Sequence, residues 1–524
     1  MTGNFGDAGG GDESPRVMAV IDVGATSVRM AVAQYDPERG MQHLESLTQA
    51  VNLGRDTFTS GSISRESTEL CVDALHNFRH VLDEYGVSKP EQIMAVATNA
   101  VRDASNRDTF LDRIFIATGI EIRVIDQSEA NRFTYLAVQP LLDAKKRLKK
   151  QSVMVVEPGG GSTEVLVLKS GKIVFSQAFR LGTLRLTRMV DDLSPNSGSR
   201  HQLMRNYIEN TVQQIKASLG DLKVDKLVMM GGDMRFAAMQ IDPNWKDHQP
   251  TGIKLESIRN LAREVIGMNI DELVLKYNLQ YPDAETLGPA LMTAETLAEN
   301  LKMNKLLVAN PSLRDGLLYE LAHEGAWSQE FIDEVCESAI KIGRKYEFDE
   351  DHARHTRKLA MRIFDALQDC HRLKAEYRVT LEIAALLHEI GYFISNRSHH
   401  KHSMYLIKAS DIFGLSSKQK TLIALTARYH RRAAPKSSHP EYEQLRRFER
   451  VTVSKLAAML RVATALDTSR SQRIQNFEID VDKRSVRIDI PGGIDLSLEQ
   501  MALRRKGPLF RQVYGRDVVL RSSK

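Results

Sequence analysis

The chain has 524 residues, of which 42% are hydrophobic and 27% charged, and its formal net charge is +5. Its length predicts three or four globular domains, and its net charge is too small to indicate nucleic-acid binding. No apolar run approaches the roughly 18 residues of a membrane span. The three cysteines have no paired spacing, which predicts a reducing compartment and no zinc site. We therefore expect a cytoplasmic protein with no membrane and no nucleic-acid partner.

The first ordered element is predicted to be a β-hairpin. Residues 1–15 precede it and are rich in Gly and Asp without an apolar core, so they are predicted to form a disordered tail rather than a signal peptide. Met18–Val32 then has the pattern of strand, turn and strand. The turn region contains a carboxylate, a glycine and two hydroxyl groups, from Asp22, Gly24, Thr26 and Ser27.

Two polar residues follow at the starts of predicted helices. Arg102 lies just past a short buried strand and among small residues, where an arginine can bind an anion bidentately. A surface arginine at a helix start is the alternative interpretation. Glu129 lies in the first turn of a helix that Asp126 or Ser128 caps. A carboxylate is common there because it interacts with the helix dipole, so a catalytic role for Glu129 needs support from elsewhere.

A second hairpin is predicted at Val155–Val167, about 135 residues after the first. Three consecutive glycines in its turn, Gly159, Gly160 and Gly161, allow positive φ angles and a close approach to a ligand. Successive N–H groups in such a turn can form an anion-binding nest, with Ser162 and Thr163 beside it. Glu157 and Glu164 flank the turn, and two carboxylates next to a phosphate require a divalent cation, usually Mg²⁺. A glycine-rich hairpin without a ligand is the alternative.

The remainder of the chain changes from mixed to helical patterning. A buried strand leads into Gly232, a third place where the backbone could approach a ligand. From about residue 325 helical patterns dominate and histidines concentrate. His388-Glu389 and the distant Asp467 resemble the metal-binding pattern of HD-type phosphohydrolases, with Glu in place of the second residue. Histidines that end or cap helices are the alternative, which we favour here. A small α+β segment closes the chain from residue 471.

Taken in order, these motifs resemble the exopolyphosphatase/guanosine-pentaphosphate phosphatase (Ppx/GppA) family. The matching segments are the Asp22–Ser27 hairpin, Ala97–Asn106, Ser128–Tyr135, Glu157–Glu164, Arg180–Gly182, His388–Gly391 and His400–Ser403. The resemblance implies an α/β fold of two actin-like (ASKHA, RNase H-like) half-domains around a cleft. An all-α HD-like domain and a small α+β domain would follow. The implied boundaries are residues 16–140, 141–324, 325–470 and 471–524.

The same resemblance implies the hydrolysis of a terminal phosphoanhydride, from inorganic polyphosphate or from pppGpp. Glu129 would activate the attacking water, and Glu157, Glu164 and Asp22 would hold Mg²⁺ or Mn²⁺. Backbone amides of both hairpins and of Gly232 would bind phosphates together with Arg102. Phosphoryl transfer depends mainly on positioning and charge neutralisation, so such a set is sufficient. A homodimer is common in this family and is a possible assembly.

Several residues depart from the family pattern and leave three functions open. Glu157-Pro158 stands where the family usually has Asp-Ile, and the Glu-Glu pair of the catalytic helix becomes Glu129-Ala130. Asp233 replaces a Thr after Gly232. We expect an exopolyphosphatase, with a pppGpp 5′-phosphatase as the first alternative. A divergent, weakly active sensor or scaffold for phosphate ligands is the second alternative, and a sugar-kinase-like activity fits less well.

Overall fold

The computed structural model describes residues 15–144, 148, 150–193, 197–245, 250–323, 327–431 and 433–523. The predicted N-terminal tail therefore lies outside the described residues, except for Pro15. The chain divides into two compact units, residues 1–325 and 326–524. Within the described ranges, no helix combines the length and the apolar character that a membrane crossing requires.

The first unit contains two sheets that repeat one topology. In the five-stranded sheet the order is β3-β2-β1-β4-β5, with β1 antiparallel to β2 and parallel to β4. In the six-stranded sheet the order is β10-β11-β9-β6-β7-β8, and β6 is likewise antiparallel to β7 and parallel to β9. The strands are β1 Arg16–Val23, β2 Ser27–Asp36, β3 Gly40–Ala50, β4 Ile93–Ala97, β5 Ile122–Val124, β6 Ser152–Pro158, β7 Thr163–Lys169, β8 Lys172–Phe179, β9 Lys226–Met229, β10 Thr251–Lys254 and β11 Lys305–Val308.

The helices of the first unit cover these sheets. β1 and β6 lie inside their sheets and read as continuous apolar runs, as strands buried on both faces do. A short 3₁₀ turn, Pro90–Gln92, precedes β4. The helices are α1 Leu53–Ser60, α2 Arg65–Glu84, α3 Asn99–Asp103, α4 Arg107–Thr118, α5 Gln127–Ala144, α6 Thr183–Leu193, α7 Ser197–Leu219, α8 Gly232–Ile241, α9 Leu255–Ile266, α10 Ile270–Tyr277, α11 Tyr281–Asn300 and α12 Leu313–Ala322.

Each sheet has its own core, and Leu184 of α6 packs into the core of the other half. It is 2% exposed and belongs to the apolar core of the first sheet, although α6 follows the second sheet in the chain. The domain boundary predicted at residue 140 falls within α5, which continues to Ala144.

The second unit is helical with a small sheet at its end, as predicted. A 3₁₀ turn spans Ile390–Phe393. The closing sheet has the order β12-β13-β14, with β12 Glu478–Val481, β13 Ser485–Pro491 and β14 Asp517–Ser523. The helices are α13 Gln329–Lys345, α14 Glu350–Ala366, α15 Gln368–His371, α16 Glu376–Leu387, α17 His399–Ala409, α18 Ser417–Arg428, α19 Pro440–Glu443, α20 Arg447–Leu466, α21 Ser497–Lys506 and α22 Pro508–Tyr514.

Candidate active site

The turns of the β1–β2 and β6–β7 hairpins have the same backbone arrangement. In the first turn the N–H of Gly24 donates to the carbonyl of Ser27 at 3.0 Å. In the second, the N–H of Gly159 donates to the carbonyl of Ser162 at 2.8 Å. A Cβ on either glycine would lie 3.1–3.2 Å from that carbonyl oxygen, so glycine suits both positions. The two hairpins are thus equivalent elements of the two halves.

Neighbouring helices hold the carbonyl groups of both turns. Gly54 of α1 donates to the carbonyl of Ala25 at 2.8 Å, and Arg185 of α6 donates to that of Gly160 at 2.9 Å. Within the described part of the chain, no carbonyl accepts the N–H groups of Ala25, Thr26, Gly160 or Gly161. Consecutive free amides of this kind form a nest for an anion. Each hairpin therefore offers a backbone site for phosphate oxygens.

The three glycines of the second turn serve close packing rather than an unusual backbone angle. Gly159, Gly160 and Gly161 do not adopt positive φ, contrary to the expectation from sequence. A Cβ on Gly160 would lie 2.9 Å from the Cβ of Ala25, which is closer than real contacts allow. A Cβ on Gly161 would lie 2.6 Å from the Cβ of Asn99. Glycine is required because the tips of the two hairpins approach each other across the cleft.

A cavity of about 160 Å³ lies between these hairpins. It is lined mainly by small, hydroxyl and charged residues, and no aromatic side chain is among its lining residues. The lining comprises Asp22, Gly24, Ala25, Thr26, Ser27, Arg29, Thr98, Asn99, Arg102, Ala130, Thr134, Glu157, Pro158, Gly159, Gly160, Gly161, Glu164, Thr183, Gly231, Gly232, Asp233, Asp283, Thr286 and Leu313.

Three of the lining carboxylates are the residues predicted to bind metal. Glu157 and Glu164 lie directly opposite each other in the register of β6 and β7. Burial, followed by repulsion from Glu164, raises the pKa of Glu157 to about 7. Burial also raises the pKa of Asp22, against the opposing effect of Arg29. The buried Oδ1 atom of Asp22 has no hydrogen-bond partner within the described part of the chain. Hard carboxylate oxygens that lack other partners fit Mg²⁺ or Mn²⁺.

A chain of polar side chains connects the two halves beside the cavity. Arg102 donates to the carbonyl of Ile125 at 3.0 Å and to the side chain of Asn99. Asn99 donates to Ser162 Oγ at 2.6 Å, and Ser162 donates to Glu164 Oε1 at 2.5 Å. Ser162 therefore orients a predicted metal ligand through its side chain. Arg102 is oriented within the cavity, as the anion-binding prediction requires.

A second group of charges lies towards α8 and α12. Arg29 lines the cavity opposite Asp22 in the hairpin register. Arg235 donates to the carbonyl of Asn310 at 3.2 Å, and Arg314 contacts Ser46 Oγ at 3.1 Å. Asp233 accepts a hydrogen bond from Thr286 at 2.9 Å, and burial raises its pKa to about 6.

The structure places Glu129 outside the lining of this cavity. Its carboxylate is paired with Arg123 and accepts the N–H of Asp126 at 3.3 Å, while Asp126 accepts the N–H of Glu129 at 3.0 Å. This reciprocal arrangement is a capping box at the start of α5. The residues of α5 that line the cavity are Ala130 and Thr134, one helical turn apart. The catalytic role of Glu129 therefore stays a prediction, and Ala130 takes the position facing the cleft.

Two of the residues predicted to bind phosphate lie outside the lining of the cavity. Ser162 and Thr163 are buried and do not line the cavity, and the hydroxyl of Thr163 donates to the carbonyl of Leu181. The other predicted phosphate-binding residues, with Arg102 and the three metal-binding candidates, do line it. Sequence analysis missed Arg29 and Asn99. Arg29 could have been found from the hairpin register, because it faces Asp22 across a two-stranded turn.

Two sheets of repeated topology, facing a polar cavity through equivalent hairpins, define an actin-like phosphate-binding fold. Residues 31–325 match the Ppx/GppA phosphatase family, and residues 336–506 match domain III of the Ppx/GppA phosphatases. The chain belongs to the Ppx/GppA phosphatase family, a family of phosphoanhydride hydrolases, and the predicted fold class is confirmed.

Relatives and solved structures agree with this assignment. The guanosine-5′-triphosphate,3′-diphosphate pyrophosphatase of Aliivibrio fischeri strain MJ11 is 26% identical over 439 residues, which cover 80% of this chain and 81% of the relative. The protein of the same name from Vibrio parahaemolyticus is 24% identical, with 91% and 92% of the two chains covered. An exopolyphosphatase structure from Cytophaga hutchinsonii aligns with a TM-score of 0.53 and 23% identity. That alignment covers 59% of this chain and 99% of the other chain.

Proposed function

We propose that the cavity between the two hairpins hydrolyses the terminal phosphate of inorganic polyphosphate with the help of Mg²⁺. The observation that carries this proposal is the pairing of two amide nests with three half-buried carboxylates. The nests attract phosphate, whereas Asp22, Glu157 and Glu164 repel it. A metal cation between the carboxylates and the phosphate would remove this repulsion. Mg²⁺ or Mn²⁺ bound there would neutralise the charge that develops on the transferring phosphoryl group.

The side chains of the chain itself bind and orient the substrate. Arg102, held by Asn99 and by the Ile125 carbonyl, presents its guanidinium to the phosphate that the second hairpin binds. The first hairpin binds a neighbouring phosphate through the amides of Ala25 and Thr26. In-line attack by water then requires a proton acceptor. The acceptor predicted from sequence is Glu129, but its carboxylate pairs with Arg123 and lies outside the cavity lining, so we expect it to contribute little and the turnover number to be modest.

A second cavity beside the first one favours a polymeric substrate. It shares Asn99, Arg102 and Gly161 with the first cavity and adds Arg180 and Arg185. Phe58 is the aromatic residue in the lining of this second cavity. The Arg185 guanidinium stacks on its ring, with the guanidinium carbon 4.2 Å from the ring centroid. A base would have to displace this arginine to stack on that face. A row of phosphates needs only positive charge, although Asp103 in the same lining already pairs with Arg185 at 2.6 Å.

The alternatives each rest on one observation. A pppGpp 5′-phosphatase is favoured by the names of the relatives from Aliivibrio fischeri and Vibrio parahaemolyticus. A weakly active sensor or scaffold is favoured by Ala130, which leaves the cleft-facing position of α5 without a carboxylate.

Phosphate release from long-chain polyphosphate, pppGpp and ATP tests these functions in one assay, with and without Mg²⁺. We expect Mg²⁺-dependent release with the highest kcat/KM for polyphosphate. The highest value for pppGpp would establish the second function. Tight binding of polyphosphate without release would establish the sensor. A Glu157→Gln/Glu164→Gln variant is the negative control for phosphate release, because it removes both carboxylate charges of the second hairpin.

The polymer path has its own test. Arg180 is exposed and lines the second cavity but not the first, so Arg180→Gln should raise KM for long chains about threefold to tenfold, while KM for tripolyphosphate stays the same. The matched control is Arg65→Gln, another exposed arginine that lines neither cavity. Equal effects of Arg180→Gln on short and long chains would contradict the polymer path.

A further inference from the structure

Four helix ends of the second unit bring histidine and carboxylate side chains to one place. His352 lies in the first turn of α14, His388 and Glu389 follow α16, His399 opens α17 and His430 follows α18. Their donor atoms form two triads, His352–His388–Glu389 and Glu389–His399–His430, and within each triad the atoms lie within 4.8 Å of one another. Glu389 belongs to both triads. Two adjacent ions bridged by one carboxylate would fit this arrangement.

The hydrogen bonds of two histidines leave one nitrogen of each ring for a ligand. His388 Nδ1 donates to the carbonyl of Ala385 at 2.8 Å, and His430 Nδ1 donates to that of Ala427 at 2.6 Å. In both rings Nε2 then carries a lone pair. His388 Nε2 is buried and has no hydrogen-bond partner in the described part of the chain. His430 Nε2 points at His399 Nε2, 3.4 Å away. Metal-ligating histidines commonly have such a backbone hydrogen bond on the opposite nitrogen.

The first histidine of the cluster is oriented by a carboxylate. His352 Nδ1 lies 2.7 Å from Asp467 Oδ2, and its Nε2 lies 3.8 Å from Glu389 Oε2. Asp467, which caps the end of α20, also accepts the backbone N–H of Gln472 at 3.0 Å. A carboxylate behind a histidine fixes the ring and makes its other nitrogen a better ligand.

Another buried histidine of the same unit shows the difference between a structural and a ligating role. His371 Nε2 donates to the carbonyl of Phe364 at 3.0 Å, and His371 Nδ1 accepts the N–H of Leu373 at 2.9 Å. Both of its nitrogens are therefore satisfied by the backbone. The helix-end interpretation favoured from sequence explains His371, but it accounts for only one nitrogen of His388 and of His430.

The histidines of the cluster are shielded from solvent on most sides. The rings of His388 and His399 are each 1% exposed, whereas Glu389 is half-buried, so the cluster opens to solvent on the side of Glu389.

Three cations surround the cluster and indicate an anionic ligand. Arg470 donates to Glu389 Oε2 at 2.6 Å, and Arg431 lies 3.2 Å from His399 Nδ1. Lys506 is nearly buried, and its Nζ donates to Thr464 Oγ1 at 2.9 Å. Arg470 also donates to Asp349 Oδ2 at 2.9 Å. Divalent ions added to these cations would still exceed the charge of Asp349, Glu389 and Asp467. A phosphate group would balance the excess and could contact Arg470 in place of one of its two carboxylate partners.

We propose that His352, His388, Glu389, His399 and His430, with Asp467 orienting His352, form a second metal centre. This centre takes two divalent transition-metal ions, bridged by Glu389, together with a phosphate group that Arg470 contacts. Imidazole nitrogens favour transition metals over Mg²⁺, so this centre differs in chemistry from the carboxylate cleft of the first unit.

Cobalt binding to the full chain tests the metal centre independently of hydrolysis. The EDTA-treated protein is loaded with Co²⁺ in an excess of Mg²⁺, which competes for carboxylate sites. We expect about two equivalents of bound Co²⁺ and visible absorption bands of imidazole coordination. The bands should persist in Glu157→Gln/Glu164→Gln, which removes carboxylates of the first unit. Wild-type protein without such bands would overturn the proposal, whatever the variants do.

Variants then locate the ions. His388→Ala and His430→Ala should each lose at least half of the bound Co²⁺, whereas the control His371→Gln should retain it. Circular dichroism in EDTA identifies variants that do not fold. Glu389→Gln removes the charge of the carboxylate that would bridge the two ions and so tests the site without changing a histidine. Unchanged Co²⁺ binding in folded His388→Ala and Glu389→Gln proteins would contradict the assignment.

Inorganic phosphate is the probe for the anion. Its ³¹P relaxation rate should rise in the presence of the Co²⁺-loaded Glu157→Gln/Glu164→Gln protein, because a paramagnetic ion acts over only a short distance. Arg470→Gln should reduce this increase severalfold without releasing Co²⁺. Cobalt binding without any effect on phosphate would overturn the phosphate part of the proposal.

Discussion

Asp22 and Glu157 occupy equivalent positions in the two hairpins, but the residues that face them carry opposite charges. Each is the last residue but one of its strand, β1 or β6. Asp22 faces Arg29 in the register, whereas Glu157 faces Glu164. The first hairpin therefore offsets part of the charge of its own carboxylate, and the second concentrates negative charge. This asymmetry explains why we expect a cation mainly at the second hairpin.

Shortening the Glu157 side chain should weaken Mg²⁺ binding. Pro158 fixes its own φ and restricts Glu157 to extended geometry, so the backbone cannot follow a shorter carboxylate. For Glu157→Asp we expect about a tenfold higher Mg²⁺ requirement and slower hydrolysis, because catalysis is sensitive to shifts of about 1 Å. Glu157→Gln should be worse, since it removes the charge. Phosphate release is measured against Mg²⁺ concentration, and removal of divalent ions with EDTA should abolish it. Faster hydrolysis by Glu157→Asp would indicate a degenerate site instead.

A carboxylate at position 130 should increase turnover. Ala130 lines the cavity, whereas Glu129 pairs with Arg123 and the backbone of Asp126. We expect Ala130→Glu to raise kcat by about tenfold or more, because a positioned general base contributes roughly two to four decades. Ala130→Gln, with the same shape and no basicity, is the control. Glu129→Gln should change kcat by less than about tenfold, as a capping residue would. A loss of two decades or more in Glu129→Gln would show that Glu129 is the base after all.

Replacing Asp233 by Asn should stabilise the protein at neutral pH. The pKa of Asp233 is raised to about 6 by burial, so the folded state binds this proton more tightly than the unfolded state does. The ionised form therefore costs stability above about pH 6, and the cost disappears as the pH falls towards about 4. Asn keeps the oxygen that accepts the Thr286 hydroxyl. Because Asp233 is partly exposed to the cavity, we expect a gain of about 1–2 kcal/mol.

Urea unfolding of the EDTA-treated protein measures this effect. The stability difference between Asp233→Asn and wild type should be full at about pH 7.5 and close to zero only near about pH 3.5, below the ordinary pKa of an aspartate. An equal difference at both values would show that the effect is unrelated to ionisation.

A side chain at position 182 should disrupt the cleft. A Cβ on Gly182 would lie 2.2 Å from the carbonyl carbon of Gly161, so the second turn or the start of α6 must move. We expect Gly182→Ala to reduce phosphate release by at least two decades and to destabilise the protein by about 1–3 kcal/mol. Gly220→Ala is a poor control because its φ is positive, whereas a Cβ on Gly288 would lie no closer than 3.8 Å to any atom. Gly288→Ala should therefore retain activity, and full activity in Gly182→Ala would refute the close packing of hairpin and helix.

The hairpins and most of the elements were predictable because their signals are local. A strand, a glycine turn and a second strand lie next to each other in sequence, so Met18–Val32 and Val155–Val167 could be identified directly. The register that places Glu164 opposite Glu157 follows from the same short stretch. The repeated hairpin also predicted the two-part fold, since equivalent turns require equivalent sheets.

Which side chains face the cavity depended on the tertiary structure. Successive residues of a helix are rotated by about 100°, so the start of α5 could present either Glu129 or Ala130 to the cleft. Packing of α5 and the ion pair with Arg123 decided in favour of Ala130. Likewise, the six residues from His352 to Asp467 come from the ends of five helices spread over more than a hundred positions. No local pattern contains the distances between them, because those distances arise only when the helices pack and leave His388 Nε2 buried beside Glu389.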